Sequence, residues 1–140
     1  MTKIPDDPQD DSTTTLAQIK ATIAAYRAER GWDNLDPRDL AISIVLEASE
    51  LLEHFQWSND IDIEANRQKI IDEFADTFNY LMQFAMTLGF DVTAAWHGKL
   101  ERVKAKYPTS VFSPDKKFDG NAYHKIKQAY RGKNAENEHA

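Results

Sequence analysis

The 140-residue sequence has no cysteine, only 5 glycines and 5 prolines, and no long apolar run. The absence of cysteine excludes a disulfide framework, a thiolate zinc site and a cysteine nucleophile. No stretch approaches the roughly 20 apolar residues that a membrane-spanning helix needs. Residues 1–15 also lack the apolar segment of a signal peptide. We therefore expect a cytoplasmic protein without a membrane partner.

Excess positive charge is also missing, because the formal net charge is -6. A protein that binds a nucleic acid polymer needs a basic face, so such a partner is not expected. Hydrophobic residues make up 41% of the chain. A chain of this length and composition is typical of one globular domain with a core of its own.

Apolar residues at steps of three and four predict four helices joined by short connections. The predicted helices cover roughly residues 16–31, 37–57, 64–88 and 91–106. Asp36 and Pro37 suit the start of the second helix, and Gly89 suits the end of the third. No long strand-like alternation is present. The sequence therefore predicts an all-α fold, an antiparallel four-helix bundle.

Polar composition marks both ends of the chain as different from the middle. Residues 1–14 are expected to form a flexible N-terminal arm, and residues 15–112 the folded domain. Residues 113–140 are expected to form a partly disordered C-terminal extension, with a short helix in the stretch AYHKIKQAYR.

Two acidic pairs stand at matching places on the second and third helices. Glu47 and Glu50 flank the apolar arc of one helix, and Glu73 and Asp76 flank the apolar arc of the other. Either pair alone is common on helix surfaces. If the two apolar arcs pack together, the four carboxylates share one groove and repel each other unless a cation lies between them. Mg²⁺, which prefers oxygen ligands, is suited to that position.

The flanking residues extend this pattern. RDLAISIVLEASELLEHFQW followed by IIDEFADTFNYL resembles the all-α nucleoside triphosphate pyrophosphohydrolases of the MazG-like and dCTP-pyrophosphatase group. The signature of that group is E-x-x-E, a spacer and E-x-x-D. AERGW before the second helix and KLERVKAKYP in the fourth also match. The resemblance covers roughly residues 16–108.

The resemblance implies a Mg²⁺-dependent hydrolase, which Mn²⁺ would also support in vitro. It would cut a nucleoside triphosphate between the α and β phosphates. It also implies a homodimer or a dimer of dimers that assembles through helices. The implied metal ligands are Glu47, Glu50, Glu73 and Asp76. We assign a catalytic role to Glu47 and Glu50, with Glu50 as the base that activates water.

Six further residues are candidates for substrate binding: Trp32, Trp57, Tyr80, Lys99, Arg102 and Tyr107. Lys99 and Tyr107 match motif positions of the family, Lys99 at a phosphate contact. Trp57 matches a tryptophan near the substrate base, although a core role fits it equally well. Trp32 suits either base stacking or a clamp on the loop after the first helix. Tyr80 lies one turn past Asp76.

Some positions depart from the family pattern. Val103 stands where many members have an asparagine. The hydrogen bond of that asparagine to a phosphate or sugar must be absent here or come from Arg102 or Lys104. The loop before the second helix offers Asp36 where dCTP-type members have a histidine. The preferred base therefore stays open, and His54 is interpreted as a surface residue.

Two rival functions make different demands on the sequence. A di-iron oxidoreductase needs Glu-x-x-His pairs on bundle helices, but Glu136 and His139 in the polar tail form the one such pair. A non-catalytic helical interaction protein would use its acids for solubility alone. Such a protein would show no metal dependence, and alanine at Glu47 or Glu73 would be harmless or even stabilising, because it would relieve repulsion between the acids.

Overall fold

The computed structural model describes residues 9–57 and 60–137. Within these residues the chain forms five α-helices and no strand. The helices are α1 (Leu16–Ala28), α2 (Pro37–Glu53), α3 (Ile63–Leu88), α4 (Val92–Lys106) and α5 (Gly120–Asn137). The all-α prediction is confirmed, and the four helices expected from periodicity are α1 to α4. None of the described helices is long and apolar enough to cross a membrane.

Local side chains define where the helices begin and end. Thr15 and Gln18 form a capping box at α1, and the Asp36 carboxylate accepts from the Arg38 amide at 2.7 Å before α2. Gly89 ends α3 with φ of 70°, a left-handed conformation that a side chain would strain. The start of α2 and the end of α3 agree with the sequence prediction.

Three helices differ in length from their predictions. The first was expected to end at Gly31, but α1 ends at Ala28. The second was expected to reach about Trp57, but α2 ends at Glu53 because the Phe55 amide turns back to the Leu52 carbonyl, closing a tighter turn. The tail helix is longer than the predicted short segment, since α5 continues to Asn137. Residues 1–8 of the predicted arm, together with His139, lie outside the described residues.

Backbone contacts divide the chain into two compact units, Met1–Val92 and Thr93–Ala140, which are described separately. In the first unit α2 packs along α3, and α1 also contacts α3. Leu52 near the end of α2 shares a groove with Ile70 early in α3, whereas Glu47 lies beside Asp76 further along. The two helices are therefore antiparallel.

The interior of the first unit is small and includes a buried cation. Leu40, Met82 and Ala85 are its buried hydrophobic residues in the described part of the chain. Arg27 is also buried, and its guanidinium donates to the Gln83 side-chain oxygen of α3 and to the Trp32 carbonyl. This one side chain ties α1, the loop after it and α3 together.

The second unit is organised by aromatic rings. Tyr107, at the end of α4, stacks on Tyr123 of α5 with ring centroids 5.1 Å apart. Phe112 meets the Tyr107 ring edge-on at 5.8 Å, and Phe118 lies 6.0 Å from Tyr123. Ring packing of this kind holds the segment between the two helices against α5.

Candidate metal centre

Three carboxylates from two helices come together on the first unit. Glu47 of α2 and Glu73 and Asp76 of α3 each offer an oxygen, and these oxygens all lie within 4.8 Å of one another. Glu73 and Asp76 are neighbours because they stand one turn apart on α3. The antiparallel packing of α2 on α3 brings Glu47 to the same point. The structure thus joins both halves of the predicted acidic groove.

The charges in this cluster have no basic partner among the described residues. In the described part of the chain, no lysine or arginine forms a salt bridge with Glu47, Glu73 or Asp76. The pKa of Glu47 is raised, first by burial and then by the negative charges of Glu50, Asp76 and Glu73. Like charges gathered without a counter-charge are the environment that a divalent cation stabilises.

The ligand chemistry of the cluster suits a hard cation. All three side chains are carboxylates, and Mg²⁺ is usually bound by one or two carboxylates together with water and phosphate oxygens. Glu47 and Glu73 are half-buried, whereas Asp76 is exposed. The cluster therefore has access to solvent on one side, which leaves coordination positions for a substrate.

Glu50 is not part of the three-carboxylate group. It lies one turn after Glu47 on α2, is exposed, and contributes negative charge that raises the pKa of Glu47. A carboxylate beside the cluster, rather than in it, is suited to contact water. Its roles as ligand and as base both stay predictions. Glu53, another turn along α2, is exposed.

The aromatic candidates in the first unit lie in different surroundings. Trp32 is 55% exposed and meets the Tyr26 ring edge-on at 6.0 Å. Its carbonyl accepts from buried Arg27, which supports the clamp interpretation for this loop. Trp57 is 85% exposed, too exposed for the core role that was its alternative. Tyr80 is half-buried on α3, one turn beyond Asp76.

The remaining candidates belong to the second unit. Lys99 and Arg102 line a small pocket with residues of α5. Tyr107 stacks on Tyr123, and its pKa is raised by burial and by the hydrogen bond with that tyrosine. Lys104, one suggested replacement for the asparagine hydrogen bond, donates to Glu101 at 2.8 Å.

Sequence reasoning missed two functional or structural groups. Arg27 was not singled out, although it stands four residues after Ile23 on the apolar side of α1, where a charged residue signals a buried partner. Tyr130 and Arg131 were not connected with Lys99 and Arg102. No local pattern indicates that second association, because it depends on how α5 packs.

Comparisons with known proteins identify the family of this chain. Residues 42–118 match the model of the MazG-like family. The chain is 31% identical over 104 residues to dCTP pyrophosphatase 1 of Rattus norvegicus, and 31% identical over 107 residues to that of Bos taurus. These alignments cover 69% and 71% of this chain. The chain spans 61% and 63% of the length of those relatives.

A solved structure also matches the fold. The crystal structure of a pyrophosphatase from Archaeoglobus fulgidus superposes with a TM-score of 0.64 at 28% sequence identity. The match covers 72% of this chain and 99% of the archaeal one. The fold of most of this chain is therefore that of a known pyrophosphatase.

Proposed function

Because the chain belongs to the MazG-like family, we propose that it is a metal-dependent nucleoside triphosphate pyrophosphohydrolase. It would hydrolyse the bond between the α and β phosphates and release a nucleoside monophosphate and pyrophosphate. The observation that carries the proposal is the convergence of Glu47, Glu73 and Asp76 within 4.8 Å, with no basic partner among the described residues. The names of the relatives, dCTP pyrophosphatase and pyrophosphatase, support the same reaction class.

Mg²⁺ is the proposed cofactor, and Mn²⁺ is expected to replace it in vitro. Glu47, Glu73 and Asp76 would hold the cation through carboxylate oxygens, with Glu50 as a further candidate ligand. When bound, the cation would supply positive charge that offsets the charge on the phosphates and on the leaving pyrophosphate. The raised pKa of Glu47 supports this assignment, since the cluster is destabilised by its own charge when all of its acids are ionised.

Glu50 is the proposed general base. Its exposed carboxylate stands next to the cluster, where it would accept a proton from the water that attacks the α phosphorus. No covalent intermediate is required. The proposed substrate contacts are Trp32, Trp57, Tyr80, Lys99, Arg102 and Tyr107, of which Lys99 and Arg102 are suited to phosphate oxygens.

We also propose that the chain forms a homodimer or a dimer of dimers through α2 and α3. Val45 and Leu46 are 64% and 58% exposed on α2, and Phe74 is 62% exposed on α3. Seven apolar residues line a groove of about 580 Å³ between the two helices: Ala48, Leu51, Leu52, Phe55, Ile70, Ile71 and Phe74. Contiguous apolar surface of this kind is typical of protein interfaces.

Light scattering coupled to size exclusion tests the assembly. The purified protein is expected to have at least twice the monomer mass of 16.0 kDa. A lysine placed in the apolar face by Val45→Lys is expected to reduce the mass to that of a monomer. Ala24→Lys, on an exposed position of α1, adds the same charge and is expected to leave the oligomer intact. A monomeric wild-type protein would contradict the assembly.

A pyrophosphate-release screen tests the activity. Canonical and modified nucleoside triphosphates, dCTP among them, are assayed with Mg²⁺, with EDTA, and with EDTA followed by excess Mg²⁺. Release that disappears with EDTA and returns with Mg²⁺ is expected for at least one substrate. Absence of metal-dependent release from every substrate would reject the proposed function.

A pair of glutamine variants on α2 tests the site within that screen. Glu47→Gln removes a carboxylate of the cluster, whereas Glu53→Gln removes an exposed carboxylate outside it. We expect Glu47→Gln to lower kcat/KM by about 100-fold or more, the scale of losing one group that stabilises transition-state charge. Glu53→Gln is expected to stay within about twofold of wild type, since exposed acids contribute little.

A further inference from the structure

A second charged pocket lies between α4 and α5, entirely within the unit Thr93–Ala140. Its cavity is about 230 Å³. The residues that line it are Lys99, Arg102, Val103, Lys106, Tyr130 and Arg131. Four of the six are cations and none is acidic. The pocket is therefore the electrostatic opposite of the carboxylate cluster.

These cations have no acidic partner in the described part of the chain. In the part of the chain that the structure describes, none of the four forms a salt bridge. The nearby acid on α4, Glu101, is occupied by Lys104, whose ammonium lies 2.8 Å from its carboxylate. Cations that converge without a counter-charge raise the local potential and attract a small anion.

One of the cations, Lys106, is positioned by its neighbours. The Lys106 ammonium lies 4.8 Å from the Tyr130 ring centre and 5.2 Å from that of Tyr107. These cation–π contacts hold it between the helices. The other three cations, Lys99, Arg102 and Arg131, are exposed and free to contact a ligand from solvent.

The charge of the whole unit favours the same kind of ligand. Residues 93–140 contain 10 lysines and arginines against 5 aspartates and glutamates, a net charge of +5, although the chain as a whole has -6. A positive surface around the pocket would increase the local concentration of anions.

The size of the pocket restricts the ligand. Its 230 Å³ is smaller than the roughly 300–1,000 Å³ of pockets that enclose whole drug-sized ligands. A short phosphate chain fits this space better than a complete nucleotide. Arginine side chains suit phosphate oxygens because they donate two parallel hydrogen bonds.

We propose that Arg131 of α5 is a further ligand of the phosphate groups that Lys99 and Arg102 are proposed to contact, whether these belong to free pyrophosphate or to the phosphate chain of a nucleotide. Lys99, Arg102 and Lys106 line the pocket from α4, whereas Tyr130 and Arg131 line it from α5. Arg131 lies beyond residues 42–118, the part matched by the family model. This proposal rests on the substrate contacts proposed above for Lys99 and Arg102, but it is tested by binding without metal, so its failure can be distinguished from failure of the metal-dependent hydrolysis.

Calorimetric titration of the full-length protein with pyrophosphate in EDTA tests this proposal. EDTA removes divalent metal, so the carboxylate cluster should repel the anion. Arg131→Gln is compared with Lys125→Gln, which removes one exposed positive charge from the same helix outside the pocket lining. We expect Arg131→Gln to weaken binding about tenfold, as expected for losing a charged hydrogen bond. Lys125→Gln is expected to change binding by less than about twofold.

Helix content measured by circular dichroism establishes that every variant folds. A parallel titration with a non-hydrolysable α,β-methylene triphosphate distinguishes the two sources of the anion. If Arg131→Gln weakens the nucleotide analogue alone, the pocket holds the nucleotide's phosphate chain; if it weakens pyrophosphate alone, the pocket holds the free anion. Equal weakening by Arg131→Gln and Lys125→Gln, or no binding of either probe in EDTA, would overturn the proposal.

Discussion

Residues 1–92 and residues 93–140 carry opposite charge in one short chain. The first unit contains 7 lysines and arginines against 18 aspartates and glutamates, a net charge of -11, whereas the second has +5. Each unit gathers like charges at one place, carboxylates on α2 and α3 or cations between α4 and α5. The overall charge of -6 conceals this division. That overall charge predicts neither the carboxylate cluster nor the basic pocket.

The two units also differ in the interactions that stabilise each of them internally. A buried arginine, Arg27, links α1 with α3 in the acidic unit, whereas the stacked rings of Tyr107 and Tyr123 link α4 with α5 in the basic one. Within the acidic unit, substitutions in the carboxylate cluster should therefore affect metal-dependent activity, whereas substitution of Arg27 should affect stability.

The largest expected effect is loss of activity when α3 loses a carboxylate. Asp76→Asn keeps the size of the side chain and removes its charge from the cluster. We expect kcat/KM to fall by about 100-fold or more, because a carboxylate that would hold the cation at the reacting phosphate is lost. The measurement is the rate of pyrophosphate release at saturating Mg²⁺.

The matched control is Asp72→Asn, the same change one turn earlier on α3. Asp72 is exposed, and its carboxylate accepts from Gln68 at 2.8 Å. Activity within about twofold of wild type is expected for this variant. If Asp72→Asn and Asp76→Asn lost activity equally, the α3 half of the cluster would be wrong.

The next effect concerns the stability of the acidic unit. Arg27→Ala leaves the Gln83 side chain and the Trp32 carbonyl without their buried donor. We expect the free energy of unfolding to fall by about 3 kcal/mol, the scale of removing a buried charged partner. Urea denaturation followed by circular dichroism measures the change.

Arg30→Ala is the control for that measurement, because Arg30 is an exposed arginine close by in the chain. Its hydrogen bond to the Tyr26 carbonyl and its contact with Glu29 are at the surface. A loss of less than about 1 kcal/mol is expected. Equal destabilisation by the two variants would show that Arg27 has no special part in joining α1 to α3.

The smallest effect is the pH dependence contributed by Glu47. Its pKa is raised in the folded protein, first by burial and then by the neighbouring acids, so the folded state binds this proton more readily than the unfolded state does. The contribution of Glu47 to stability must therefore decrease as pH rises from its unfolded pKa through its folded pKa.

Thermal unfolding in EDTA measures this contribution as the Tm of wild type minus the Tm of Glu47→Gln. The subtraction cancels the titration of other acids to first order. The difference is expected to decrease as pH rises above the ordinary pKa of a glutamate, and Mg²⁺ is expected to reverse the decrease. A difference that increases over this range would mean that Glu47 is stabilised as an anion without metal.

Much of the fold was predictable because its determinants are local. Asp36 before Pro37 and Gly89 after Leu88 define helix ends through caps that need only neighbouring residues. The two acidic pairs were predictable from helical periodicity together with a family resemblance, and membership in the MazG-like family is confirmed.

The rest depends on contacts between distant parts of the chain. The position of Glu50 outside the three-carboxylate group follows from how α2 faces α3, since Glu47 and Glu50 satisfy the motif equally well. The aromatic surroundings of Tyr107 and the basic pocket both require α5, whose length exceeds the predicted short helix. Helical periodicity gives the face of a residue, but it does not give the partner of that face.

The central claim is that α2 and α3 together hold one divalent cation. Electron paramagnetic resonance of free Mn²⁺, titrated with wild type, Glu47→Gln and Glu53→Gln, tests it most directly. The account predicts a wild-type site from which Mg²⁺ displaces Mn²⁺, binding weakened about tenfold or more by Glu47→Gln, and binding unchanged by Glu53→Gln. Mn²⁺ binding by Glu47→Gln that is as tight as by wild type would contradict it.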